Sequence, residues 1–265
     1  MAKINQKTLD LAWHAHASSD ADRVIQLLAA EDILSQSHDD IEPAVLLGLA
    51  LHDRGRVVEA ADAIEKASLL GPIPDEARIT LASCYAQLRR IDLARELYLE
   101  LALSRRLDAD LMLKVAGGLS AIDSPQLAMK VCEWITERDD SVAQAYYDMG
   151  VYSAHCGHAL YISEALTRRA LALDTGNVHY RVGLVSLLIQ LQRESEALEV
   201  ALTFEVDQIR TATCFRCLQR IADLLTRHNH TDLAIACHER FKALRAERAA
   251  KPIQSAKPTL QIHHE

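Results

Sequence analysis

Small residues recur in pairs every 34 positions through the front half of the chain. The two series are Gly48, Ala82 and Ala116, and Ala60, Ala94 and Ala128. Around both series, apolar residues fall at i, i+3, i+4 and i+7, the periodicity of an amphipathic helix, and short polar turns such as 54–56 separate them. The pattern predicts helix–turn–helix units in which small residues stand where two helix backbones come closest.

The 34-residue period and its small residues resemble the tetratricopeptide repeat family. The resemblance implies an all-α fold, a right-handed α-solenoid of stacked antiparallel helix pairs over residues 1–248. We expect seven units at about 5–40, 41–74, 75–108, 109–142, 143–177, 178–211 and 215–248. Pro252 and Pro258 follow the last unit, so we expect residues 249–265 to form a disordered tail.

The composition favours a helical protein that folds without covalent cross-links. Of its 265 residues, 49% are hydrophobic and 25% charged, and Leu and Ala dominate where a β protein would have Val, Thr and Tyr. The six cysteines are scattered through a chain long enough to bury a core, so we expect free thiols and a cytoplasmic location. Residues 1–20 hold no apolar leader, and no apolar run approaches the roughly 18 residues of a membrane span.

The charge of −8 is unevenly distributed along the chain. Residues 1–142 carry 15 basic and 24 acidic residues, whereas residues 215–265 carry nine basic and five acidic ones. Duplex nucleic acid requires a concentrated basic face, so this distribution disfavours it as the main ligand. The basic C-terminal end permits an acidic peptide as a partner.

The resemblance also implies that the first helix of each unit lines a concave groove for an extended peptide or a partner helix. Family members that grip a peptide carboxylate use a Lys and an Asn four residues apart on one first helix. The corresponding pairs here, such as Ile79 and Ser83, contain neither residue type, which disfavours that mode. We predict partner-binding residues in three units instead, namely Trp13, Gln144, Tyr147, Asp148, His155, Arg216, Gln219, Arg220 and Arg227.

Two of these predictions leave an alternative open. Arg216, Arg220 and Arg227 fall within about 40° on one helix face, where guanidinium groups could bind a partner carboxylate. A solvated helix face would show the same charge stripe. Trp13 either anchors a partner or covers the exposed end of the first unit.

A Cys-X-X-Cys motif near the C-terminal end is a candidate metal or redox site. The residues of this cluster are Cys214, Cys217, His228, His230, Cys237 and His238. Tetrahedral zinc binding would require side chains from two helices to converge. A thioredoxin-like role would require the motif to follow a β-strand, and none is predicted. Buried structural cysteines are the favoured interpretation.

The sequence contains no nucleophile–base–orienter set, no paired carboxylates and no phosphate-binding glycine loop. We therefore expect neither enzymatic activity nor a cofactor, and predict a non-catalytic scaffold that binds a segment of another protein in its groove. The alternatives are a cytoplasmic chaperone for a secretion-system or pilus subunit and a metal- or redox-responsive regulator that uses the 214–238 cluster. Self-association stays open.

Overall fold

The computed structural model describes residues 6–29 and 41–250. These residues form fifteen α-helices and no strand, which confirms the predicted all-α fold. The chain divides into two compact units, Met1–His158 and Ala159–Glu265. The predicted repeat at 143–177 therefore contributes its first helix to the first unit and its second helix to the second unit.

The first unit contains α1 (Gln6–Ala17), α2 (Ala21–Ala29), α3 (Glu42–Asp53), α4 (Val57–Leu70), α5 (Asp75–Gln87), α6 (Ile91–Ser104), α7 (Ala109–Ala121), α8 (Pro125–Arg138) and α9 (Ala143–His155). Helices adjacent in sequence pack against each other from α1 to α9, and α1, α3, α5, α7 and α9 also pack in series. This arrangement is a stack of helix pairs whose first helices share one side. The prediction of an α-solenoid is confirmed for this unit.

The repeated small residues lie where the helices of a pair approach most closely. Ala60, Ala82, Ala94, Ala116 and Ala128 are fully buried. At the equivalent position Gly48, a methyl group would lie 2.4 Å from Cγ1 of Ile64 on α4, too close for any real contact. The space between the helices therefore fixes the residue size, as the sequence pattern predicted.

A left-handed residue closes the turn after every first helix. It stands two positions after the end of α1, α3, α5, α7, α9, α11 and α14, at Ser19, Gly55, Arg89, Asp123, Gly157, Gln192 and Asn229. The following backbone N–H donates to a carbonyl in the last helical turn at 2.8–3.1 Å, as from Arg56 to Leu51 at 2.9 Å. These bonds satisfy carbonyls that a helix end leaves unpaired.

The second unit contains α10 (Leu160–Leu173), α11 (Val178–Gln190), α12 (Glu194–Ala201), α13 (Val206–Thr211), α14 (Phe215–Arg227) and α15 (Thr231–Ala250). Helices α10 and α11, α11 and α12, and α14 and α15 pack against each other, α13 packs against α15, and α11 contacts α14 across the stack. The second helix of the sixth predicted repeat is interrupted after Ala201. Phe204 turns into the core, and Glu205 caps the start of α13 through a capping box with Gln208.

The last helix, α15, buries Ala234 and Ala236, whereas Ile235 between them is 57% exposed. Helix α15 continues to Ala250, and the rest of the predicted disordered tail lies outside the described residues.

Candidate functional site

A depression of about 650 Å³ lies on the side of the first unit formed by α1, α3, α5 and α7. We call it the first-unit groove, and its central lining residues are His52, Ser83, Gln87, Lys114, Gly117 and Gly118. The groove exists because the first helices of successive pairs share one side and carry small residues there. It is the side on which the resemblance predicts partner binding.

Three polar side chains on α3 and α5 form a hydrogen-bonded cluster in the groove. Nε2 of His52 lies 3.0 Å from Oγ of Ser83 and 3.3 Å from Nε2 of Gln87, and Gln87 also donates to Ser83 at 3.3 Å. Burial lowers the pKa of His52 and outweighs the opposing effect of the Asp53 carboxylate. Burial thus favours the neutral imidazole, in which Nε2 accepts a hydrogen bond when Nδ1 carries the proton and donates one when Nε2 carries it.

Two adjacent glycines on α7, Gly117 and Gly118, line the groove. No atom lies within 4 Å of the position that a Cβ of Gly117 would occupy, so this residue opens directly to the groove. Gly118 instead covers the ring of Tyr98, which is only 2% exposed. Burial raises the pKa of the Tyr98 phenol to about 12, so the floor carries a neutral hydroxyl group beneath the glycine. Lys114 and Glu76 form an exposed ion pair of 3.3 Å at the rim.

The structure brings a base and a hydroxyl together at His52 and Ser83, which the sequence did not predict. The third member of a catalytic set is poorly placed, since the carboxylate of Asp53 is exposed and lies 3.9 Å from Nδ1 of His52. Ser83 also lies inside α5, where backbone N–H groups are engaged in helical hydrogen bonds. The cluster therefore lacks N–H donors at Ser83 that could stabilise an oxyanion.

The residues predicted in the first unit do not form one surface. Trp13 is 40% exposed, and its indole N–H donates to the carboxylate of Glu42. Gln144 donates to Asp148 at 2.7 Å, and burial raises the pKa of Asp148 to about 6 although this hydrogen bond lowers it. Tyr147 is buried, with 7% of its surface exposed, whereas His155 is exposed. The partner-binding role of these five residues stays a prediction.

The predicted arginine row lies on α14, but its members have different surroundings. Nη1 of Arg220 donates to the buried hydroxyl of Ser186 on α11 at 3.0 Å. Arg227 forms an ion pair of 2.7 Å with Glu194, while Arg216 and Gln219 are exposed. The structure thus fixes Arg220 against α11 and leaves the Arg216 guanidinium open to solvent.

The expectation of six free thiols is wrong at the Cys-X-X-Cys motif. Cys214 and Cys217 form a disulfide, with 5.3 Å between their Cα atoms, and neither residue is fully buried. The sulfurs cannot act as thiolate ligands in this oxidised form. His228 contacts Glu194 at 3.1 Å and His238 contacts the carbonyl of Ala234 at 2.9 Å. Over residues 6–29 and 41–250, no three His, Cys, Asp or Glu side chains are grouped to hold a metal ion.

A separate depression of about 580 Å³ lies between the start of α7 and the end of α8. Arg105 packs over the ring of Trp134 there, 5.1 Å from its centroid. Two of the carboxylates at its rim are already used locally, because Asp108 caps α7 through Leu111 and Asp139 accepts from Ser141. The first-unit groove is the better candidate, because several helices converge on it and its polar groups point into it.

Sequence reasoning missed His52, Ser83 and Gln87 as a site. Ser83 and Gly117 occupy groove positions one repeat apart, but neither is the Lys or Asn that marks the carboxylate-binding members of the family. Polar and small residues at equivalent groove positions of consecutive repeats were the sequence signal that could have indicated this site. Helix packing brings together residues that are 31 and 35 positions apart.

Within the described residues, no helix combines the length and the apolar character needed to cross a membrane.

No protein-family model and no curated protein matches the chain. Solved structures do resemble it. A tetratricopeptide repeat protein from Parabacteroides merdae ATCC 43184 is 12% identical, with 90% of this chain and 92% of that chain covered and a TM-score of 0.66. A crystal structure of MamA is 17% identical, covering 62% of this chain and 95% of that chain, with a TM-score of 0.52. A MamA fragment from Desulfovibrio magneticus RS-1 is 18% identical over 60% of this chain and 90% of that one, at a TM-score of 0.51. At these identities the likeness shows the fold alone.

Proposed function

Because the chain has the tetratricopeptide repeat fold, we propose that it is a non-catalytic scaffold that binds an extended segment of another protein in the first-unit groove. The observation that carries this proposal is the groove itself, in which helices from consecutive pairs present hydrogen-bonding side chains and a glycine floor. A cytoplasmic location is part of the proposal and rests on composition alone.

The chemistry of the groove suits a peptide main chain. The amide of Gln87 and the hydroxyl of Ser83 can each donate to or accept from a peptide group. The open surface at Gly117 allows a partner backbone to approach α7 without meeting a side chain. Because the helices hold these groups in place before binding, little conformational entropy is lost on the scaffold side.

The second unit is proposed to contact acidic residues of a protein partner. Arg216 is exposed on α14, and Arg220 is held by Ser186 in a fixed position beside it on the same helix. A guanidinium group that is already oriented binds a carboxylate with less entropic cost. Trp13, Gln144, Tyr147, Asp148 and His155 are proposed as secondary contacts, of which Trp13 and His155 are the most accessible.

The experiment uses peptides selected from a random display library against the whole protein. Binding of the best peptide is measured by fluorescence anisotropy with wild type, with Gly117→Leu and with Lys66→Leu as a control. Leu at position 117 fills the groove without disturbing α7, because nothing lies near its Cβ position. Lys66 is an exposed residue of α4 outside the groove.

We expect Gly117→Leu to weaken binding about tenfold or more, equivalent to at least ~1.4 kcal/mol, and Lys66→Leu to change it less than twofold. Equal affinities for all three proteins would remove the first-unit groove as the binding site. Failure to select any peptide that binds the folded protein would contradict the scaffold function.

A further inference from the structure

We propose that the Cys214–Cys217 pair is a thiol–disulfide exchange site, an activity that does not depend on partner binding in the groove. The pair is the single disulfide among the six cysteines, all of which lie in described residues. It is also only partly buried, so a small thiol or a disulfide can reach it. The substrates would be low-molecular-weight or protein disulfides and the corresponding thiols.

The other cysteines show what makes this pair different. Cys84, Cys132 and Cys237 are buried, and burial raises the pKa of each thiol, to about 11 for Cys84 and about 12 for Cys237. These side chains stay protonated at neutral pH, and only a thiolate attacks a disulfide. Cys156 is partly exposed but has no bonded partner. The chemistry of a reversible dithiol is therefore confined to residues 214 and 217.

The position of Cys214 favours negative charge on its sulfur. Cys214 is the N-cap of α14, a helix of 13 residues, and its sulfur accepts the backbone N–H of Cys217 at 3.3 Å. The unpaired N–H groups and the dipole of a helix N-terminus stabilise an anion at this point. Arg216 lies between the two cysteines in sequence and is exposed, so its charge acts in the same direction. Once reduced, Cys214 is the better nucleophile of the two.

Packing on both sides keeps the two sulfurs close in either oxidation state. The ring of Phe215 stacks on Phe241 of α15 with 4.1 Å between centroids. Leu218, immediately after the motif, is 1% exposed in the core of the second unit. The backbone between the cysteines is therefore held in place from both sides. Such preorganisation raises the effective concentration of one thiol beside the other and favours rapid ring closure.

The exchange reaction transfers two electrons from the protein dithiol to a disulfide in two steps. The Cys214 thiolate attacks one sulfur of a disulfide RSSR, so that a bond from Cys214 to SR forms and RS⁻ leaves. The Cys217 thiolate then attacks the Cys214 sulfur, the Cys214–Cys217 bond forms and a second RS⁻ leaves. The protein dithiol loses two electrons, RSSR gains them, and the two protons released from the cysteines protonate the RS⁻ groups. The reverse sequence, with a thiol as reductant, regenerates the dithiol.

The test begins with full-length protein in anaerobic buffers that span a wide range of reduced to oxidised glutathione. After acid quenching, remaining thiols are alkylated and the protein is weighed by mass spectrometry. We expect a reversible two-electron titration of one pair, which Cys156→Ser leaves unchanged. A pair that stays oxidised at every ratio would be a purely structural disulfide, and a pair that never forms a disulfide would equally overturn the proposal.

The second measurement compares the two cysteines as nucleophiles. With oxidised glutathione, Cys214 in the Cys217→Ser variant should form the mixed disulfide about tenfold faster than Cys217 in the Cys214→Ser variant. Equal rates would contradict the assigned role of the helix N-terminus. Tight zinc binding by the reduced pair, with loss of exchange, would also overturn the proposal. Peptide binding in the first-unit groove is a separate readout, so each proposal can fail alone.

Discussion

Gly118 lies directly against Tyr98, so that a methyl group placed on the glycine would be 2.2 Å from Cζ of the phenol ring and 2.5 Å from its oxygen. The neighbouring Gly117, on the same helix, has no atom within 4 Å of the equivalent position. One glycine is therefore required by packing, and the other is an exposed helical glycine that packing does not require.

These adjacent glycines predict stability changes of opposite sign. Gly117→Ala should raise the free energy of unfolding by about 1 kcal/mol, because alanine forms helices better than glycine. Gly118→Ala should lower it by about 1–2 kcal/mol, because the buried Tyr98 ring has to move. Urea unfolding followed by circular dichroism measures both, and a destabilised Gly117→Ala or a stabilised Gly118→Ala would contradict the packing described.

The buried ion pairs of Glu164 predict that its replacement costs more stability than replacement of an exposed glutamate. Its carboxylate is almost fully buried and accepts hydrogen bonds from Arg193 at 2.7 Å and from Arg168 at 2.8 Å. Glu164→Ala should lower the free energy of unfolding by about 2–3 kcal/mol, because two charged donors lose their acceptor. Glu196→Ala, which removes an exposed partner of the same arginines, should leave the free energy of unfolding nearly unchanged. Urea unfolding measures both variants, and equal losses of stability would show that the burial of Glu164 does not strengthen its ion pairs.

The buried carboxyl group of Asp148 should make the free energy of unfolding depend on pH. Burial raises the pKa of its carboxyl group to about 6, above the value of about 3.9 for an unfolded chain. The folded state therefore binds more protons between these values, and the contribution to stability is lost as pH rises from about 4 to 6. Asp148→Asn should be about 1–2 kcal/mol more stable than wild type at pH 7 and equal to it near pH 3.5.

A control of opposite sign is available at Asp139. Hydrogen bonds from the side chain and backbone of Ser141 lower the pKa of this carboxyl group. Asp139→Asn should therefore be less stable than wild type at pH 7, and the difference should disappear in acid. If both Asn variants shifted stability in the same direction at pH 7, the assigned environment of Asp148 would be wrong.

The exposed guanidinium group of Arg216 predicts that the second unit prefers acidic peptides. A fluorescent peptide of alternating Glu and Ala should bind the protein more weakly when Arg216 is changed to Ala, by about threefold to tenfold at low salt. Arg210→Ala removes an exposed arginine that is paired with Asp207 on α13, and it should have less than a twofold effect. Binding that is insensitive to both changes and to salt would exclude the arginine face of α14.

The sequence predicted the fold because its pattern repeats. Gly48 and the equivalent alanines stand at the closest approach of paired helices, and a constraint on size that recurs every 34 residues is visible without any structure. The interruption between α12 and α13 was not predictable in this way. It depends on Phe204, between these two helices, turning into the core, where Arg181 of α11 packs over its ring at 5.2 Å. The two residues are 23 positions apart in sequence, so no local pattern marks their contact.

The candidate sites were predicted less well, because their contacts are made between repeats. His52 meets Ser83 and Gln87 only after two helix pairs have stacked, and no local motif marks the three residues. Glu164 is buried because arginines four and 29 positions away converge on it. The Cys-X-X-Cys motif is visible in the sequence, but a disulfide at the start of α14, with Cys214 as the N-cap and no preceding strand, was not predicted.

Five of the seven left-handed turn positions carry a side chain, at Ser19, Arg89, Asp123, Gln192 and Asn229, whereas only Gly55 and Gly157 have the residue that adopts this conformation at no steric cost. Replacing one of these five residues by glycine removes the cost of the left-handed conformation but adds conformational freedom to the unfolded chain. The bends could thus be tuned one at a time, without any change to the buried small residues or to the first-unit groove.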